Sequence, residues 1–153
     1  MLNTAIKNSI DQCVLCWLAT ADANGQPNVS PKEMFTYTDD GYLVIANIAS
    51  PNSIKNIRQQ PQVSVSFVDI FVQKGFQLKG TARIIKANEA DFAAKAKKLK
   101  LMAGELFPFK MLIAIKVDSV KEIVAPRYRL FPNTTEAEQI ESAMRTYGVQ
   151  QRE

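Results

Sequence analysis

The chain has 153 residues, of which 46% are hydrophobic, and carries 19 Lys and Arg against 15 Asp and Glu. This length and composition predict one globular domain with a sizeable core. The sequence contains no histidine, which excludes Ser-His-Asp and Cys-His catalysis and removes the commonest nitrogen ligand of metals, so no metal site is predicted.

The N-terminal region predicts a short helix over residues 4–13, with Asn3 or Thr4 as its N-cap. Residues 1–10 alternate polar and apolar side chains instead of forming the apolar core of a signal peptide, so we expect a cytoplasmic protein with no membrane partner. Cys13 and Cys16 have the spacing of a redox dithiol or half a zinc site. Their apolar surroundings favour two small buried hydrophobic residues at a helix-to-strand junction.

Two strands, 16–21 and 28–37, are predicted to pair as a hairpin because Asp22-Ala-Asn-Gly25 is a strong turn signal. Pro31 removes a hydrogen-bond donor from the second strand, so this part of the strand belongs at an edge or a bulge. A third strand is predicted over residues 42–46, after the turn at Asp39-Asp40-Gly41.

A polar loop and a short helix follow, ending before Pro61, with Asn52 or Ser53 as the expected N-cap. Alternating side chains predict strands over 63–67 and 76–84, and Gly80 in the second of them suggests a bend or a close backbone approach. A strand over 111–117, which 123–125 extends, is the sixth.

A helix beginning at 88–91 precedes that last strand, with an apolar stripe formed by Phe92, Ala96, Leu99 and Ala103. Much of the basic excess lies on the same helix, in Lys95, Lys97, Lys98 and Lys100. A solvated helix face explains these lysines better than a nucleic-acid surface, so no nucleic-acid partner is predicted.

These segments predict a mainly β (β plus α) protein, a six-stranded antiparallel barrel with short peripheral helices and a C-terminal helix. The barrel domain covers residues 1–125. A C-terminal extension over 126–153 begins as an irregular link and contains a helix that starts with the capping box Thr135–Glu138. This helix packs either on a partner subunit or back on its own chain.

Two polar clusters lie at the ends of predicted strands, Ser30-Pro31-Lys32 and 47–55. If the second and third strands are neighbours, the clusters are close, and the following helix directs its free N–H groups toward the gap, where a phosphate would fit. Ser50, Asn52 and Ser53 would add neutral donors, and Lys32 or Lys55 would add charge. The alternative is that these residues only cap the helix and turn the loop.

The order of the motifs is similar to that of the pyridoxamine 5'-phosphate oxidase-like FMN-binding split barrels, over about residues 16–117. The motifs are Leu-Ala-Thr-x-Asp-x-x-Gly-x-Pro-x-Val-Ser-Pro-Lys, Leu-Val-x-Ala-Asn, Ser-Pro-Asn-Ser-x-x-Asn-Ile-Arg-x-x-Pro and Gly-Phe-x-Leu-Lys-Gly-Thr-Ala-Arg. The chain most resembles the small bacterial FMN-binding proteins of this family. The resemblance implies a split β-barrel and a homodimer that holds one FMN at each end of the subunit interface.

The resemblance also implies a set of cofactor-binding residues. Those that would line the isoalloxazine and the ribityl chain are Val29, Ser30, Pro31, Lys32, Ala46 and Asn47. Asn52 and Ser53 would hold the phosphate, and Lys55 would replace a basic residue that many relatives carry at or beside Asn52. True pyridoxamine phosphate oxidases also need an Arg-x-His pair, which this chain lacks, so the vitamin B6 oxidase itself is rejected.

The leading hypothesis is therefore a homodimeric FMN-binding flavoprotein that works as a reductase or an electron carrier, with Lys32 beside the flavin ring. Two alternatives stay open. One is a split barrel that binds the deazaflavin F420, which is preferred over haem because no histidine is present to ligate iron. The other is a cofactor-free binding module that acts through its basic helix or its C-terminal tail.

Overall fold

The computed structural model describes residues 1–151 and is mainly β. Its strands are β1 Cys16–Ala21, β2 Pro27–Lys32, β3 Phe35–Tyr37, β4 Tyr42–Ala46, β5 Gln62–Asp69, β6 Lys74–Lys86 and β7 Met111–Val124. Its helices are α1 Thr4–Gln12, α2 Pro51–Gln59, α3 Phe92–Ala103, α4 Pro126–Leu130 and α5 Glu136–Tyr147. All strand pairs are antiparallel, in the order β2-β1-β5-β6-β7-β4-β3. Among the described residues, no helix has the length and apolarity needed to span a bilayer.

The prediction of six strands is wrong, because the predicted strand over 28–37 is two strands. β2 ends at Lys32 and pairs with β1, whereas β3 begins at Phe35 and pairs with β4. The two halves therefore lie at opposite edges of one seven-stranded sheet. A local pattern cannot show this division, since both halves have strand-like sequences and only their partners differ.

The short link between β2 and β3 forces the sheet to curl. Three Cα-to-Cα steps separate Lys32 from Phe35, a reach of at most about 11 Å, although the two strands are at opposite edges. The carbonyl oxygen of Met34 in this link accepts a hydrogen bond from the N–H of Ala46 at 2.9 Å. The sheet is consequently a curled half-barrel that brings the ends of β2 and β4 together.

Strand β4 is buried on both faces and separates two apolar clusters. Leu43 and Ile45 belong to the main core inside the curled sheet. Val44 and Ala46 point the other way, because successive side chains alternate along a strand, and join the cluster beneath α3. The predicted stripe of α3 is confirmed, since all four of its members are buried there or beside it: Phe92, Ala96, Leu99 and Ala103.

The expectation that the lysines of α3 form a solvated face is only partly correct. Lys95 is buried, with its Nζ 2.6 Å from Asp40 Oδ2 and 4.0 Å from the centre of the Tyr42 ring. Lys97 and Lys100 are exposed. Through these contacts the buried lysine joins α3 to the turn before β4, a role that composition alone did not indicate.

The two cysteines and the mid-strand glycine behave as predicted. Cys13 follows α1, Cys16 begins β1, and both thiols are buried and free. The register between β6 and β7 shifts between Lys79 and Gly80. A Cβ atom on Gly80 would lie 2.2 Å from the carbonyl oxygen of Lys116, so this close approach requires glycine.

The C-terminal segment contains the predicted capping box at Thr135, but the prediction of an irregular link is wrong, because Pro126–Leu130 form the short helix α4. Three contacts join the segment to its own chain. Lys74 pairs with Glu136 at 2.7 Å, the Tyr128 hydroxyl donates to the Val72 carbonyl at 2.8 Å, and the rings of Phe71 and Tyr147 lie 6.1 Å apart. The domain boundary at residue 125 and packing on a partner subunit stay predictions.

Candidate functional site

A cleft of about 250 Å³ lies where the ends of β2 and β4 meet. It is lined by Pro31, Lys32, Glu33, Met34, Ala46, Ile48, Ala49, Ser50 and Phe107. The curling of the sheet creates this cleft, because it places the link after β2 beside the loop after β4. The two polar clusters of the sequence therefore meet as expected, although β2 and β4 are not neighbours in the sheet.

Helix α2 starts at the edge of this cleft. Its N-cap is Ser50 and Pro51 is its first residue, so the expected N-cap at Asn52 or Ser53 is wrong. Proline suits the first helical position because its missing N–H would have no partner there. The N–H groups of Asn52 and Ser53 have no partner within the helix, and the Ser50 side chain makes no capping hydrogen bond. These two N–H groups at the N-terminus of α2 are thus available to an acceptor outside the helix.

Lys32 lies at this helix end, where a positive charge is unfavourable. The residue is only 8% exposed, and its Nζ donates a hydrogen bond to Ser50 Oγ. The first turn of a helix carries partial positive charge. Within residues 1–151 no carboxylate lies within ion-pairing distance of this ammonium group, although the exposed side chain of Glu33 also lines the cleft. The positive charge at this site is uncompensated.

Burial affects the ionisation of Lys32 and of its cross-strand neighbour Cys16. Desolvation lowers the pKa of the Lys32 ammonium group, and only an ionised Cys16 thiolate would oppose this shift by its charge. Burial raises the pKa of Cys16 to about 12, against the attraction of Lys32. The thiol is therefore neutral near pH 7 and does not supply the missing negative charge.

Asn47 contributes an unpaired polar atom beside the cleft. Its backbone N–H donates to the Met111 carbonyl at 3.0 Å, and its Nδ2 lies 3.9 Å from the Met111 sulfur. Its Oδ1 is buried without a hydrogen-bond partner. Unpaired buried acceptors are rare in folded proteins and call for an explanation. Asn47 stands between the lining residues Ala46 and Ile48 but is not one of them, and its side chain lies against Met111.

The predicted site residues divide into those that line the cleft and those that do not. Four line it, namely Pro31, Lys32, Ala46 and Ser50. Asn47 lies next to lining residues, Ser53 is buried in the first turn of α2 and outside the lining, and Ser30 is half-buried in β2. Val29, Asn52 and Lys55 are exposed and outside the lining, with Val29 on the outer face of the sheet.

Sequence reasoning missed five lining residues, Glu33, Met34, Ile48, Ala49 and Phe107. Ile48 and Ala49 lie inside the cluster 47–55 but were not singled out there, and extending the first cluster by two positions would have found Glu33 and Met34. Phe107 is different, because it comes from the loop after α3 and no motif marks it. Only the tertiary structure brings it to the cleft.

A larger cavity of about 750 Å³ lies between α1, the turn before β6 and the C-terminal segment. The positive charge of its lysine is already balanced, since Lys74 pairs with Glu136 at 2.7 Å and lies 4.6 Å from the centre of the Tyr128 ring. This cavity therefore does not show the charge imbalance of the smaller cleft.

Residues 2–123 match the family model described as pyridoxamine 5'-phosphate oxidase. The chain belongs to this family. The match spans both strands that form the cleft and the loop that carries Phe107, and it confirms the resemblance seen in the motifs. The chain nevertheless lacks the histidine of the Arg-x-His pair of the true oxidases.

Solved structures of bacterial proteins share the fold. HupZ from Group A Streptococcus is 26% identical, with a TM-score of 0.66 over 78% of this chain and 92% of that chain. HutZ from Vibrio cholerae, described as a haem storage protein, is 23% identical, with a TM-score of 0.62 over 80% and 94%. An FMN-binding protein from Syntrophomonas wolfei subsp. wolfei is 12% identical, with a TM-score of 0.65 over 78% and 84%. A protein described as a haem storage protein and one described as FMN-binding thus share this fold.

A comparison with curated proteins found no significant match. Among the described residues, no group of three or more Cys, Asp or Glu side chains is arranged to hold a metal ion.

Proposed function

We propose that the cleft binds FMN and that the protein is a flavoprotein oxidoreductase or electron carrier. The observation that carries this proposal is the buried, uncompensated Lys32 at the N-terminus of α2. A phosphate group would neutralise the ammonium group and accept hydrogen bonds from Ser50 and the first turn of the helix. Because Lys32 contacts Ser50, we assign it to the phosphate end of the cofactor instead of the ring.

The remaining walls of the cleft suit a flat, largely apolar ring with a few polar atoms. Met34, Ala46 and Ile48 provide apolar surface for the ring. Few polar groups in an otherwise apolar cleft are typical of cofactor sites. When bound, FMN would supply the hydride or electron chemistry, while these residues bind and orient it.

We also propose that the protein is a homodimer. The cleft, at about 250 Å³, is slightly smaller than the roughly 300–1,000 Å³ of ligand pockets, so a second surface would help to enclose the cofactor. An apolar strip is available on the outer face of the sheet, where Trp17 pairs in register with Pro31, and where Trp17 and Val29 are 48% and 58% exposed. Aromatic residues of this kind are enriched at the centres of interfaces.

Titration of the purified protein with FMN and with riboflavin tests the proposed cofactor. FMN should bind about ten- to a hundredfold more tightly than riboflavin, since charged hydrogen bonds to the phosphate contribute roughly 1.5–3 kcal/mol. Saturating FMN should also raise the melting temperature, because a ligand at about 100 times its Kd stabilises the native state by roughly 2.7 kcal/mol.

Lys32→Met should abolish most of the preference for FMN over riboflavin, because the methionine side chain carries no charge for the phosphate. Lys97→Met is the matched control, since Lys97 is exposed on α3 and lies outside the cleft. Parallel titrations with F420 and haem distinguish the other cofactors of the family. Binding of F420 or haem with no measurable binding of FMN would refute the proposal, and binding of none of them would favour a cofactor-free module.

A further inference from the structure

Phe107 is the one aromatic side chain among the residues that line the cleft, and it is held in place from both ends of its loop. The loop begins at Gly104, whose N–H donates to the Lys100 carbonyl at 3.0 Å, and it ends at Lys110, whose carbonyl accepts from Ala87 at 2.9 Å. Phe109 packs against Phe92, with ring centres 6.0 Å apart. The loop is thus fastened to the core under α3.

The sequence around Phe107 directs one aromatic residue into the core and leaves the other at the cleft. Pro108 restricts the backbone of Phe107 to extended conformations. Phe107 is 53% exposed, although it lines the cleft, and its neighbour Leu106 is 86% exposed and outside the lining. A half-exposed phenylalanine on a restrained backbone has apolar area that a ligand can cover at little entropic cost.

We infer that Phe107 is a further cofactor-binding residue whose ring packs against the isoalloxazine of the bound flavin. This inference rests on the proposed function and adds a residue from a separate segment to the site. The phosphate end is defined by Lys32 and Ser50, whereas Phe107 joins the apolar walls formed by Met34, Ala46 and Ile48. Aromatic rings prefer offset or edge contacts with other π systems, which aliphatic walls do not offer.

Two pairs of variants test the inference, the first by measurements of binding. Phe107→Ala should raise the Kd for FMN and for riboflavin by the same factor, roughly three- to tenfold, because the lost contact is to the ring that both ligands share. Leu106→Ala is the matched control and should leave both Kd values unchanged. Circular dichroism and thermal melting check that each exposed-site variant is folded.

Quenching of flavin fluorescence by an introduced tryptophan provides the second measurement. Phe107→Trp places an electron-rich indole against the flavin and should quench the fluorescence of bound FMN well below that in the wild-type complex. Leu106→Trp should not cause this additional quenching. If Phe107→Ala leaves both Kd values unchanged and Phe107→Trp quenches no more than Leu106→Trp, the role of Phe107 is refuted while FMN binding stands. Failure of the wild-type protein to bind either flavin would overturn the proposed function and this inference with it.

Discussion

Lys32 is the residue on which the proposed binding of phosphate in the cleft depends. A lysine at the end of a strand is ordinarily solvated, and although the motifs predicted Lys32 at the cofactor site, they did not predict that its side chain is buried. In the fold, the strand end lies under the loop that begins α2, so the ammonium group loses water and gains only the Ser50 hydroxyl. A buried cation with neutral partners is unfavourable, and an anionic ligand would relieve this cost.

The pH dependence of binding should report on Lys32. Burial lowers its pKa below the usual value for lysine, and only the protonated form attracts phosphate. Above the pKa of the free protein, binding must therefore take up a proton, and the affinity for FMN should fall with rising pH, approaching about tenfold per pH unit. Fluorescence titrations between neutral and alkaline pH measure this slope.

Riboflavin and Lys32→Met are the controls for that slope. Riboflavin lacks the phosphate, so its affinity should depend much less on pH over the same range. The Lys32→Met variant should bind FMN weakly and with the same shallow pH profile. An FMN affinity that stays constant across the alkaline range in the wild-type protein would contradict a role for Lys32 in phosphate binding.

At the scale of elements, the division between β2 and β3 creates the site. The sequence predicts one strand over 28–37, yet its halves pair with β1 and β4 at opposite edges of the sheet. The link Glu33–Met34 is consequently at the closure of the curled sheet, and both of its residues line the cleft. A continuous strand would leave no cleft at this point.

The second feature at the scale of elements is the register shift at Gly80 in strand β6. Gly80→Ala should destabilise the protein by about 1–3 kcal/mol, the usual cost of overpacking, because the new Cβ would meet the Lys116 carbonyl at 2.2 Å. Urea denaturation measures the free energy of unfolding. The exposed neighbour Lys79→Ala is the control and should change it by less than about 0.5 kcal/mol. Equal urea midpoints for Gly80→Ala and the wild type would contradict this prediction, because they would show that β6 and β7 can move apart at Gly80 without a loss of stability.

At the scale of the whole molecule, the outer face of β1 and β2 is the surface on which we expect the second subunit. Trp17 lies on this face near one end of the β1–β2 ladder, in register with Pro31, and Val29 is on the same face. Trp17→Asp should weaken the dimer at least about thirtyfold, since tryptophans in interfaces commonly contribute about 2 kcal/mol or more to binding. Sedimentation velocity over a range of concentrations measures the monomer fraction.

Leu106→Asp is the control for the dimer, because Leu106 is even more exposed but lies on the loop after α3. This variant should sediment like the wild type. A Trp17→Asp protein that remains fully dimeric would place the interface elsewhere, and a wild-type protein that is monomeric would refute the homodimer itself.

Much of the architecture could be predicted from local sequence. The α1 N-cap at Asn3, the α5 capping box at Thr135 and the apolar stripe of α3 depend on residues within one or two turns, and these predictions are confirmed. The motifs from Cys16 onward were sufficient to indicate the family, which the match over residues 2–123 shows. Such features are decided by neighbours along the chain, so a single sequence contains them.

The remainder depended on contacts between residues distant in the chain. Which sheet edge each half of 28–37 joins, the burial of Lys32 beside Ser50 and the arrival of Phe107 at the cleft all follow from the curling of the sheet and the docking of α3. Pairing partners and burial are properties of the closed structure, because local propensity is the same for a strand at either edge. The sequence alone determined the family and most of the helices and strands, and the tertiary structure decided where 28–37 divides and which side chains form the site.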